Sequence, residues 1–247
     1  HMTRFIPHRY ITVNKSLKKF VATNINAALE DSNYITPIYS GITLPLPAQQ
    51  SLTRTDAGIP SDAFVFGSVG RLSAERGFDD LIHAFDSCVS TYKGPLKPFL
   101  CIIGGGTCQP SLEKLVANLG LQKRVLFAGQ RHDVADWLPL FDWYCNPSHA
   151  GSIDFAVMEA MATRLPIISA NEHSHHELFE VGNHFLLCPI KDWRALAKHM
   201  LFALLHHDKK EAFGKKNYAL VKKHFDLKRM AQQYHSIFAN PTPEKES

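Results

Sequence analysis

A doubly wound parallel α/β sheet is the fold class this sequence predicts, from two features of its pattern. Short apolar runs alternate with longer amphipathic stretches from residue 62 onward, and the apolar runs lack strict polar alternation. Strands without a polar face are covered on both sides, and strand-helix-strand order then implies parallel pairing. Ala63-Phe-Val-Phe-Gly-Ser-Val-Gly70 reads as a buried strand closed by glycine, and Phe78 to Val89 as a helix with apolar residues at 78, 81, 82, 84 and 85. Phe99 to Ile103 is the next strand, followed by a helix carrying Leu112, Leu115, Val116 and Leu119. Arg124 to Ala128, Trp143 to Cys145, Pro166 to Ser169 and Phe185 to Cys188 supply further strands, with a helix from Phe155 to Thr163 between the second and third of these. From Trp193 to Phe238 the pattern is helical.

The first sixty residues stand outside this sheet. Tyr10 to Val13 reads as a strand, Ser16 to Leu29 as a helix and Ile35 to Tyr39 as a strand. Leu44-Pro-Leu-Pro47 and the polar run from Gln49 to Asp62 read as a linker. The expected division is therefore 1–45 as the remnant of a second domain, 46–62 as linker, 63–240 as the Rossmann-like domain and 241–247 as a tail. His1-Met2 reads as a cloning remnant ahead of Thr3.

Composition bounds the function classes. The 247 residues, 45% of them hydrophobic, suffice for a full core, and no apolar run has the length of a membrane span. A net charge of only +4, with cations scattered among acids, argues against a dedicated nucleic-acid binder. The five cysteines form no C-x-x-C pair, and Cys101, Cys145 and Cys188 sit in apolar runs, which suits buried thiols in the cytoplasm.

Several segments carry candidate chemistry. Gly67 and Gly70 close the first strand, where a ligand can approach the backbone, and Arg71 and Arg76 follow with the charge a diphosphate needs. On spacing alone, solvated surface is the simpler reading of both arginines. Gly104-Gly-Gly106 is not G-x-G-x-x-G and reads as a tight turn. Pro147-Ser-His-Ala-Gly-Ser-Ile-Asp154 enters a helix at the edge of a strand, a place where open α/β sheets bind anions, although Ser152 or Asp154 there serves equally as a helix cap. Glu159 lies in an otherwise apolar helix and needs a polar partner, whether a sugar hydroxyl, an arginine or water. His173-Ser-His-His-Glu177 lacks metal-ligand spacing and reads as a solvated loop; nucleophile-elbow and P-loop patterns are absent.

Taken in order, these segments resemble the C-terminal domain of family 4 glycosyltransferases. The matching runs are Val69 to Phe78, Arg124 to Gly129 with His132-Asp-Val134, Met158-Glu-Ala-Met-Ala162, Leu165-Pro-Ile-Ile168 and Glu177-Leu178, and the likeness covers roughly residues 10 to 240. The resemblance implies half of a two-Rossmann-domain (GT-B) architecture, binding a nucleotide-sugar donor and retaining anomeric configuration on transfer. The acceptor, a glycan or lipid-linked glycan in surface polysaccharide biosynthesis, would bind an N-terminal domain of which only residues 10 to 40 remain.

In such enzymes an arginine and a lysine grip the diphosphate, and they map to Arg71 and Arg76; Gly70 closes the strand beside them. Glu159 matches the glutamate that binds the ribose, and Arg131 falls where a side chain packs beside the base. Ser152, Ile153 and Asp154 take the places of a Gly-Phe-Gly run, and Gly151 replaces a glutamate that normally sits by the donor sugar. Arginines and helix amides would stabilise the departing diphosphate without a metal or other cofactor. The implied alternatives are a sugar-nucleotide 2-epimerase and a non-catalytic nucleotide-binding module, with peripheral membrane association a further expectation for the full-length protein.

Overall fold

The computed structural model describes residues 10–25, 35–46, 51–149, 155–170 and 185–239. Two compact units divide the chain, His1–Leu44 with Lys222–Ser247, and Pro45–Val221.

The larger unit is the expected α/β layer. Its strands are β3 (Ala63–Val69), β4 (Lys97–Ile103), β5 (Val125–Phe127), β6 (Trp143–Asn146), β7 (Ile167–Ala170) and β8 (Leu186–Cys188). They form a six-stranded sheet in the order β5-β4-β3-β6-β7-β8, and every pairing is parallel. The order runs outward from β3 in both directions, so the topology reverses between β3 and β6, and the crevice at their carboxyl ends is where such sheets take ligands. The helices are α2 (Phe78–Thr91), α3 (Gln109–Asn118), α4 (Val134–Trp137), α5 (Phe155–Ala162), α6 (Trp193–Leu205) and α7 (Lys210–His224).

The apolar runs explain the layer arrangement. Phe66, Leu100, Trp143 and Ile168 point to one face and share a core with Leu81 and Phe85 of α2, Leu112 and Val116 of α3, and Met200 and Leu204 of α6. The intervening Val65, Cys101, Tyr144 and Ile167 are fully buried as well, so both faces are covered. Helix α2 buries Phe78, Leu81, Ile82, Phe85 and Cys88, a stripe at helical spacing, and carries Asp79 and Asp80 in its first turn, where negative charge suits the helix dipole. Helix α6 starts on Asp192, whose carboxylate accepts from the Ala195 amide at 2.9 Å. Helix α4 escapes sequence reading because four residues are too few to show a period.

The expected linker is partly built into this unit. Arg54 donates to the carbonyls of Leu140 (2.9 Å) and Ala63 (2.7 Å) and to the Asp142 carboxylate (2.8 Å), which also accepts from the Val65 amide (2.8 Å) and pairs with Lys210 (2.6 Å). Ala57 and Ile59 are buried beside it. One guanidinium thus ties the stretch before β3 to the segment that enters β6, which a polar composition alone does not reveal.

In the smaller unit, β1 (Tyr10–Thr12) and β2 (Ile35–Pro37) pair in parallel, with α1 (Lys15–Ile25) between them in sequence. Its last element is α8 (Leu227–Ala239). The chain end groups with the N-terminal segment rather than extending the Rossmann-like domain to residue 240: Ile42 donates to the Phe225 carbonyl at 2.8 Å and accepts from the Leu227 amide at 2.9 Å. Tyr39 meets Phe225 edge-on at 5.5 Å. Among the described residues, no helix is long and apolar enough to cross a membrane.

The thiols follow the burial. Desolvation pushes Cys88, Cys101 and Cys188 up to about 12 and raises Cys145 well above the ordinary thiol range, because a thiolate in an apolar layer has no solvation. Under native conditions a disulfide reagent is therefore expected to label half-exposed Cys108 first and the others only on unfolding. Rapid native labelling of Cys145, followed by peptide mapping, would contradict this packing.

Candidate functional site

Three loops at the carboxyl edge of the sheet pack backbone to backbone. The Gly70 amide donates to the Ile103 carbonyl and the Leu72 amide to Gly105, both at 2.9 Å, while the Gly104 amide donates to Gly129 at 2.8 Å. Gly104 makes this approach possible: it has φ +141°, and a Cβ there would lie 1.9 Å from the Gly70 carbonyl oxygen. The glycine run is thus more than the tight turn its sequence suggests. It lets the β3–α2 loop lie against the β4–α3 loop.

Between these loops lies a cavity of about 320 Å³ whose lining includes Val69, Gly70, Arg71, Gly104, Gln130 and Arg131. Three of the residues singled out from sequence, Gly70, Arg71 and Arg131, therefore meet in one place. Ile103, Gly105 and Val134 complete the lining.

Arg131 is held on two sides. Its Nε and Nη2 donate to the two carboxylate oxygens of Asp133 at 2.8 and 2.6 Å, and its guanidinium lies 5.0 Å over the Trp137 ring. The hydrogen bonds raise Arg131 above its ordinary range and hold Asp133 below its own. A guanidinium so fixed presents a flat, pre-set wall to the cavity. Arg71 is freer: its side chain is 76% exposed, and its Nη2 reaches Glu75 at 3.1 Å. Glu75 is held below the usual carboxylate range chiefly by the Ser73 hydroxyl, which donates at 2.6 Å, then by a backbone hydrogen bond and by Arg71.

Arg76 closes a short 3-10 turn, Ala74–Arg76, in the same loop, and its guanidinium lies 3.6 Å from where a Cβ on Gly70 would fall. Its Nη1 donates to the Ser148 hydroxyl at 3.3 Å, placing it against the loop that leaves β6 rather than in the cavity lining. Both arginines therefore stand beside Gly70, Arg71 in the cavity lining and Arg76 against Ser148. Glu159 is half-buried on α5 and does not line the cavity. Gly151, Ser152, Ile153 and Asp154 lie outside the described residues, as do His173 to Glu177. Among the described residues, no group of three or more His, Cys, Asp or Glu is arranged to hold a metal ion.

Sequence reasoning passed over Gln130 and Val134, which line the cavity, and Asp80, which pairs with His149 at 2.7 Å. For the last, the only signal was an acidic first turn on α2, which a helix dipole already explains.

The fold and this crevice define a class: a doubly wound α/β unit with cationic side chains at the switch point, the place where open α/β sheets take ligands. The chain belongs to the family of glycosyl transferases group 1, whose sequence pattern matches residues 49–220. It is 28% identical to the putative teichuronic acid biosynthesis glycosyltransferase TuaC of Bacillus subtilis, over 76% of this chain and 45% of that protein. It is 27% identical to the lipopolysaccharide core biosynthesis glycosyltransferase LpsE of Rhizobium meliloti, over 60% of this chain and 42% of that protein. The chain thus spans less than half the length of these curated relatives. In three dimensions it is similar to Anabaena HepE, solved in complex with UDP and glucose: the TM-score is 0.80 at 23% identity, covering 94% of this chain and 63% of that one.

Proposed function

We propose that this chain is the donor-binding half of a retaining glycosyltransferase of family 4, moving a sugar from a nucleoside diphosphate sugar to a glycan or lipid-linked acceptor in surface polysaccharide biosynthesis. The observation that carries the reading is the crevice at the β3/β6 switch point, with a cavity for a nucleoside beside Arg71 and with the Arg76 guanidinium near Gly70. UDP in the similar HepE structure, and relatives named for lipopolysaccharide core and teichuronic acid synthesis, support the ligand and the product class.

In the proposed reaction the bond from the anomeric carbon to the diphosphate oxygen breaks. The acceptor hydroxyl oxygen bonds to the same face of that carbon, and its proton passes to the leaving phosphate oxygen. Arg71, Arg76 and the first amides of α5 would stabilise the charge that accumulates on the diphosphate, so the chemistry asks for no metal ion or other cofactor. Glu159 would hold the ribose and Arg131 would pack beside the base.

The smaller unit supports the half-enzyme reading. A two-stranded parallel pair is rarely stable alone, and here Val13, Leu17 and Phe20 beside it are 43, 39 and 62% exposed. An N-terminal, acceptor-binding domain would cover them. A cytoplasmic location at the inner membrane face, with peripheral attachment of the full-length protein, fits lipid-linked acceptors.

Calorimetry with UDP, GDP and ADP tests the reading. Heat of binding is expected with UDP, unchanged by a chelator, together with no transfer by this chain alone. Silence with all three nucleotides would overturn the donor site, and transfer by the chain alone would overturn the two-domain assignment. A second reading, a nucleotide-binding module without catalysis, is favoured by Gly151 where a donor-sugar glutamate is expected. Turnover by the full-length protein decides against it.

A further inference from the structure

His149 and Asp80 form a pair that neither the fold nor the proposed ligand contacts explain. The imidazole Nε2 and the Asp80 Oδ2 are 2.7 Å apart, and the two side chains are only 13 and 17% exposed. Asp80 lies in the first turn of α2 and His149 in the loop leaving β6, so the pair bridges the two sides of the switch point. Two further bonds cross at the same place: the His149 amide donates to the Glu75 carbonyl at 2.9 Å, and Arg76 donates to Ser148 at 3.3 Å.

The close approach is built into the backbone. Gly77 has φ +65°, and a Cβ there would lie 2.3 Å from the Pro147 carbonyl oxygen and 2.7 Å from His149 Nε2. Any other residue would hold the two loops apart. Neither His149 nor Asp80 lines the cavity.

We infer that the His149–Asp80 pair is a clasp of positioning residues. It fixes the β3–α2 loop to the β6–α5 loop, and so sets the place of Arg76 relative to the diphosphate. The inference rests on the proposed nucleoside diphosphate site. A diphosphate gripped by Arg76 and by the first amides of α5 depends on the spacing between them, and a small misplacement weakens every such bond at once. A nucleoside without phosphates does not depend on that spacing.

The test is calorimetry of UDP and of uridine with His149→Ala, Asp80→Ala, Asp80→Asn and the double variant His149→Ala/Asp80→Ala. UDP affinity is expected to fall about tenfold in each alanine variant and no further in the double variant, the non-additivity of residues that act as one unit. Uridine affinity is expected to hold within about twofold, and Asp80→Asn, which keeps an acceptor oxygen, to recover most of the UDP loss. Equal losses for UDP and uridine would reduce the pair to a fold contact, and undiminished UDP affinity would show the clasp idle; either overturns the inference while leaving the nucleotide site standing. A parent chain that binds no UDP overturns both.

Discussion

Gly104→Ala is expected to destabilise the larger unit by about 4 kcal/mol or more, at the far end of single-substitution effects. The Cβ would lie 1.9 Å from the Gly70 carbonyl oxygen, and the φ of +141° is one that side-chain-bearing residues rarely adopt. Relief requires moving backbone, and the backbone in question is bonded on both sides, Gly70 to Ile103 and Gly104 to Gly129. Gly67→Ala is expected to be less severe, although its Cβ would fall 1.9 Å from the buried Phe141 ring, because a ring can shift where a ladder cannot. Gly105→Ala is the control: the nearest atom to its Cβ is that of Gln130 at 3.9 Å, an ordinary contact. Urea unfolding of the three variants checks the order. A Gly104→Ala midpoint equal to that of Gly105→Ala would show that the close approach is not required.

Arg76→Ala is expected to cost about 1.5–3 kcal/mol of UDP affinity, roughly 10- to 150-fold, the scale of a charge-assisted hydrogen bond in a partly desolvated site. Arg71→Ala is expected to cost less. Its side chain is 76% exposed and already shares its charge with Glu75, so solvent screens what it offers a phosphate. The Arg76 change should leave uridine binding unaltered. Glu159→Gln is expected to weaken uridine and UDP alike, because its proposed partner is the ribose. Calorimetry with both ligands separates these cases. An Arg76→Ala variant that loses uridine and UDP equally would show a folding defect in place of a diphosphate contact.

The three changes also mark how far the site was legible before the fold was known. Gly70 and Arg71 follow directly from a strand that ends, whereas Arg131 was marked only by the family resemblance; all three meet at the cavity. Arg76 was visible as a cation and not as a neighbour of Ser148, which lies 72 residues further on. Asp80 was invisible as part of a site, because its partner His149 is 69 residues away and nothing local marks the pairing. Gly104-Gly-Gly106 read as a turn because its close neighbour, the Gly70 carbonyl, belongs to another strand.

The sequence by itself determined the succession of strands and helices in the larger unit apart from the four-residue α4, the parallel sense of the strands and the glycine-closed strand with its two arginines. Apolar periodicity is a local property: residues within a few positions of one another decide whether a segment buries one face, two faces or a stripe. Only the tertiary structure decided the order β5-β4-β3-β6-β7-β8, and with it which loops become neighbours. It decided too that Arg54 anchors to Asp142, 88 residues away, and that the final helix groups with the N-terminal segment through Ile42 and Phe225. Lateral order in a sheet depends on how crossover helices fill the space above and below it. That is a property of the packed whole, written in no single window of the chain.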